Sequence, residues 1–119
     1  LLVFFLIKIN KIISVERKIY KIKIRVIEVR GKGECSAGLK VGDEFEISKN
    51  GQPVPVSFCG WAFVTLWQFI TPLRYGGMLP WETDENKAYV SCPDPETTVI
   101  FEIIRELDED FNDNNITAF

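Results

Sequence analysis

Histidine is absent from all 119 residues. That removes Ser–His–Asp and Cys–His nucleophile pairs, His-bridged zinc sites and the usual general base near neutral pH. Catalysis would fall to Cys, Asp, Glu, Lys or Tyr, and no recognisable constellation is built from them, so an enzyme is not the first expectation. Cysteine is scarce and odd in number: Cys35, Cys59 and Cys92 cannot all pair, which argues against a disulfide framework and for a reducing, cytoplasmic setting. Long hydrophobic runs are missing too. The stretch LLVFFLI at residues 1–7 stops at Lys8, short of the roughly 20 residues a membrane helix needs. It also lacks the basic region and small-residue cleavage site of a signal peptide, and no membrane partner is expected. No phosphate loop is present: GKGECSAG at residues 31–38 has the glycines but not the strand-to-helix setting.

What is there describes one domain. The length suits a single core, and 46% hydrophobic with 26% charged residues is the balance of a folded chain. The formal charge of -3 hides an asymmetry: residues 1–33 hold nine Lys and Arg against Glu16 and Glu28, a net of +7, which leaves -10 for the remainder. An acidic body disfavours phosphate neutralisation, so nucleic acid is not an expected partner.

Hydrophobic periodicity gives the element order. Residues 1–16, which begin without Met, read as an N-terminal extension of doubtful status, and the fold signals occupy residues 17–106. Tyr20, Ile22, Ile24 and Val26 alternate with Lys21, Lys23 and Arg25, the period of a half-buried strand. The apolar phase shifts at Ile27 and Val29, which predicts a bulge. A loop follows in which Gly31, Gly33 and Gly38 supply positions for φ > 0. Next comes VGDEFEI, a second strand with Val41, Asp43, Phe45 and Ile47 on one side. SKNGQPVP reads as turn and loop, because Asn50-Gly51 favours reversal and Pro53 and Pro55 deny ladder donors.

The apolar stretch Cys59 to Ile70 reads as a helix, with Ser57 as its N-cap and with Pro72 and Gly76-Gly77 ending it. KAYVSC is a short strand, PDPET a turn around Asp94, and TVIFEIIRE a strand apolar on both faces, as a central strand would be. Residues 107–119 read as an acidic frayed tail. The fold class expected is α+β: a single small domain with a mostly antiparallel sheet and one principal apolar helix packed on a face.

Two sets of residues could carry function. The helix is apolar nearly all round, broken only by Thr65, Gln68 and Thr71, so it calls for cover by a partner protein, a second copy or the N-terminal segment. Trp61 and Trp67 suit core or interface packing, while Trp81, in the loop after Pro80, suits a binding role. The second set is the three cysteines, each at the edge of an element. Three thiolates could hold zinc or an iron–sulfur cluster, and Cys59 near a helix N-terminus would be the most reactive thiol. Against this stand the spacings of 24 and 33 positions, the lack of a C-x2-C pair and the habit of free cysteine to pack as a small hydrophobe; packing with no cofactor is the simpler account. Lys21, Lys23 and Arg25 lack an RNA-stacking ring on their own face, since Tyr20 alternates to the other side.

The ordered blocks CSAGLKVGDEFEI, CGWAF, GGMLPW and SCPDPETTVIFEI resemble a family of small bacterial and archaeal domains of unknown function over about residues 19–105. The resemblance implies a cysteine at each position matching Cys35, Cys59 and Cys92, commonly with His where this chain has Leu39 and Pro where it has Gly60. If the family binds metal through those positions, Leu39 removes the fourth ligand. The first functional expectation is therefore a small non-catalytic interaction module that self-associates or binds a partner protein. The alternative is a thiol-based metal or redox site at Cys35, Cys59 and Cys92.

Overall fold

The computed structural model describes residues 18–55 and 57–107; the N-terminal extension and, beyond Leu107, the acidic tail expected from the sequence lie outside these residues. Among the described residues five strands form one antiparallel sheet in the order β3-β2-β1-β5-β4, and one helix packs on it, so the α+β architecture is the observed one. The strands are β1 (Lys21–Gly31), β2 (Glu44–Ile47), β3 (Pro53–Val54), β4 (Lys87–Ser91) and β5 (Thr97–Glu106), with the helix α1 (Gly60–Arg74) between β3 and β4.

Alternation in β1 puts Ile22, Ile24 and Val26 under the helix, where they meet Phe45 and Ile47 of β2, Val99, Phe101 and Ile103 of β5, Ala88 of β4, and Ala62, Leu66, Ile70 and Leu73 of α1. The bulge falls where the phase shift places it. Val26 pairs with Phe101 and Glu28 with Ile100, so Ile27 is the extra residue and Val29 turns back inward against the core.

Three local features differ from the sequence reading. β2 begins at Glu44 rather than Val41, which is exposed. Residues 40–43 close a turn in which the Asp43 amide donates to the Lys40 carbonyl (3.0 Å) and the Lys40 amide to Asp43 Oδ2 (2.9 Å), with Gly42 at φ 97°; the Asp43 amide is thereby turned away from β1, and the Gly42 amide donates to the Val26 carbonyl in its place (2.9 Å). Residues 53–54, expected as loop, form the short edge strand β3. The Ser48 amide donates to the Gln52 carbonyl and Gly51 sits at φ 84°, a three-residue hairpin with glycine in the left-handed position, which pairs the chain despite its prolines.

The helix also runs past Pro72 to Arg74, and Cys59, not Ser57, is its N-cap, with no side-chain capping bond. Pro72 sits close enough to the end that the missing amide frees only the Gln68 carbonyl, on the exposed face. The chain then stops as its glycines dictate: the Gly77 amide donates to the Pro72 carbonyl (2.7 Å) and the Gly76 amide to that of Leu73 (3.3 Å), with Gly76 at φ 87°, a Schellman closure.

Candidate functional site

α1 has an inner stripe of Ala62, Leu66, Ile70 and Leu73 and an outer surface without a charge. Among its fifteen residues only Arg74 is charged, and Arg74 is buried. Trp61 is 59% exposed and Val64 75% exposed, an unusual surface for a helix whose outer face would ordinarily carry Lys, Glu or Arg. The three tryptophans separate into different roles. Trp67 is half-buried, with its ring 5.3 Å from that of Phe63, on the side of α1 that meets Gly51 of the β2–β3 hairpin. Trp81, 63% exposed, stands edge-on to Phe69 at 6.2 Å, on the opposite side of the helix. Trp61 does not pack in the core; it is exposed, which leaves the interface alternative.

Each of the three cysteines stands at the boundary of an element: Cys35 after β1, Cys59 at the N-cap of α1 and Cys92 after β4. The C-terminal end of α1 meets the start of β1 and the end of β5, through the Tyr20 amide on the Arg74 carbonyl and Arg105 on the Leu73 carbonyl. At its N-terminal end, beside Cys59, the Phe58 ring lies 4.5 Å from that of Phe45 and 5.6 Å from that of Phe101. All three are half-buried and pack against the core. Among the described residues no group of three or more His, Cys, Asp or Glu side chains is placed to hold a metal ion.

Cys92 has a defined local part: its sulfur accepts the Val99 amide at 3.2 Å while its own amide donates to the Val99 carbonyl at 2.9 Å. Together with Asp94 Oδ1, which accepts the Glu96 and Thr97 amides, it shapes the β4–β5 turn. Cys35 lines a pocket of about 290 Å³ with Val29, Glu34, Leu39 and Lys40. Leu39 is buried in the core cluster and packs there.

The sheet face away from α1 is one that sequence reasoning passed over. Glu102, at the centre of β5, is only 6% exposed. It accepts Arg25 Nη2 at 2.5 Å and the Tyr89 hydroxyl at 2.9 Å, with Lys87 Nζ at 3.9 Å. The signal lay in the register, which sets Glu102 between Arg25 and Tyr89; alternation alone showed a polar residue in an apolar run without its neighbours. Lys21 and Lys23 lie within 4 Å of Glu46 and Glu106, so every cation of β1 on this face is matched by a carboxylate.

Burial pushes the Glu102 carboxyl up, but the Tyr89 hydroxyl, Arg25 and Lys87 outweigh it, and the group is held below its ordinary value of 4.5. The same bond raises the Tyr89 hydroxyl above 10.0. A lowered carboxylate contributes stability above its unfolded pKa and loses it as pH falls through the folded value. The urea midpoint should therefore drop on acidification from 4.5 downward, and Glu102→Gln should flatten that limb relative to wild type. An equal slope in both proteins would show that other carboxylates carry it.

Comparison of the chain with family models, with curated proteins and with solved structures finds no match.

Proposed function

We propose that this domain is a small, non-catalytic interaction module that self-associates or binds a partner protein through the outer face of α1 and the Trp81 loop. The observation that carries the reading is the uncharged helix: the exposed Trp61 and Val64 stand on a face without a single charge. Bringing such rings and branched side chains out of water is favourable at about 25 cal/mol per Å² of apolar surface, and aromatic residues are enriched where proteins meet. Membership of the three-cysteine family belongs to the same proposal, carried by the ordered cysteine and glycine blocks.

The test is hydrophobic-dye binding together with light scattering. Val64→Glu, at an exposed position where folding is not at stake, should reduce dye fluorescence by about half or more and weaken any association through this face about tenfold, since a buried unpaired carboxylate is costly. A compact monomer that binds no dye, with wild type and variant alike, would overturn the reading.

A second reading, a thiol-based metal or redox site, starts from Cys35, Cys59 and Cys92, three free and half-buried thiols. It is tested by anaerobic purification with metal and free thiols measured per chain. Near-stoichiometric zinc or iron that is lost when any one cysteine becomes Ser would support it, and Leu39→His would then be expected to tighten binding. No metal and three slowly alkylated thiols would reject it.

A further inference from the structure

The sheet has two edges of unequal character. β3 is two residues long, contains Pro53 and is followed by Pro55, so its outer side is denied a donor and is too short to extend. β4 is five residues of regular strand. The Arg105 amide donates to the Asn86 carbonyl and the Cys92 amide to the Val99 carbonyl, both 2.9 Å. By the alternation of an antiparallel ladder, Ala88 and Val90 then share the hydrogen-bonded pairs with Ile103 and Phe101. The main-chain groups of Tyr89 and Ser91, and the carbonyl of Lys87, consequently point away from the sheet; the Lys87 amide is held by the Asp84 carbonyl at 3.2 Å.

We infer that β4 is a self-pairing edge: two copies of this chain join β4 to β4, antiparallel, about a two-fold axis at Tyr89, and continue the sheet from one copy into the next. In that register the two Tyr89 residues exchange main-chain bonds, and each Ser91 amide meets the Lys87 carbonyl of the other copy. The side chains are self-complementary. On the open face Lys87 stands opposite Ser91 and Tyr89 opposite Tyr89; on the helix face Ala88 stands opposite Val90. No two like charges oppose each other across the seam.

The helix supplies the second argument for a copy of this chain over a foreign peptide. Trp67 marks the side of α1 next to the β2–β3 hairpin, so Phe69 and Trp81 mark the side toward β4. The two-fold axis puts both helices on the same face of the joined sheet, running in opposite directions. Trp81 of one copy is thereby carried toward the N-terminal half of the other copy's α1, where Trp61 is exposed. A peptide added at this edge would use the main-chain groups and leave both rings in water. The inference rests in part on the interaction-module reading and names the partner, so the test separates the two.

Sedimentation equilibrium on wild type, Ser91→Lys, Ser91→Glu and Val64→Glu decides it. Wild type should dimerise. Ser91→Lys sets a lysine opposite Lys87 at both ends of the seam and should raise the dissociation constant about tenfold or more. Ser91→Glu should lower it severalfold, and Lys87→Glu combined with Ser91→Lys, which again sets opposite charges across the seam, should bring it back to the wild-type value or below. Ser91 is exposed, and unchanged circular dichroism will show that each variant folds. A wild-type monomer at all concentrations, or a dimer indifferent to the sign of residue 91, overturns the inference. If either result comes with dye binding that Val64→Glu abolishes, β4 pairing fails while the helix-face reading stands. The charge pattern at residue 91 without any dye signal keeps the β4 seam and removes the helix face.

Discussion

Gly31→Ala should destabilise the domain by about 3 kcal/mol or more in urea denaturation. Gly31 closes β1 at φ 103°, and a Cβ built there would lie 1.9 Å from the Glu96 carbonyl oxygen. No side-chain adjustment relieves that contact, because the obstacle is main chain. The β5 start would have to withdraw, and with it the Lys32 amide on the Glu96 carbonyl (3.0 Å) and the Thr97 hydroxyl on the Lys32 carbonyl (2.5 Å). Gly33→Ala is the matched control: φ is 75° and nothing lies within 4 Å of the added methyl. It should cost about 1 kcal/mol, the left-handed backbone penalty alone. Equal losses in the two variants would mean that the close approach of β1 and β5 is not what the glycine serves.

These glycines also show what was legible. The cluster at 31, 33 and 38 announced positive φ, and all three have it. The bulge at Ile27 was readable because a phase shift in a period-two pattern has one common cause. What could not be read was competition between a turn and the ladder. The Lys40–Asp43 turn draws the Asp43 amide away from β1 and ends β2 short of Val41, and the Asn50-Gly51 turn pairs Pro53 and Val54 although both prolines advise against a strand. Pro72 misled for a related reason: its cost depends on distance from the helix end, and that end is set by Gly76 and Gly77 four residues later.

Of the candidate site, the uncharged outer face of the helix was plain in the sequence, but its division into half-buried and exposed tryptophans was not. Trp67 is covered by the Gly51 turn and Trp61 is not, a difference made by contacts remote in sequence. The ligand set of Glu102 was illegible for the same reason, since Arg25, Tyr89 and Glu102 meet only through register.

Arg105 carries the other large effect. It was read as part of an apolar strand, yet its guanidinium is buried beneath the C-terminal end of α1 and donates to the Leu73 carbonyl (3.3 Å), the Gly77 carbonyl (2.5 Å) and Asn86 Oδ1 (3.1 Å), with the Tyr20 ring 4.8 Å from its centre. A cation there complements the negative end of the helix dipole, and its planar fork reaches three acceptors that an ammonium could not serve together. Arg105→Met keeps most of the volume but strands the buried Leu73 carbonyl, the half-buried Gly77 carbonyl and an amide oxygen. The expected loss is about 3 kcal/mol, with Arg105→Lys intermediate. Gly77 and Asn86 bracket the loop that holds Met78 and Trp81, so the same residue ties both ends of that loop to β5. Hydrogen exchange should therefore quicken across the last turn of α1 and residues 77–86 in Arg105→Met by more than the global loss of stability accounts for, while the centre of β1 follows the global value. Uniform acceleration would reduce Arg105 to a general contribution to the core; the local pattern would make it the residue that positions the Trp81 surface.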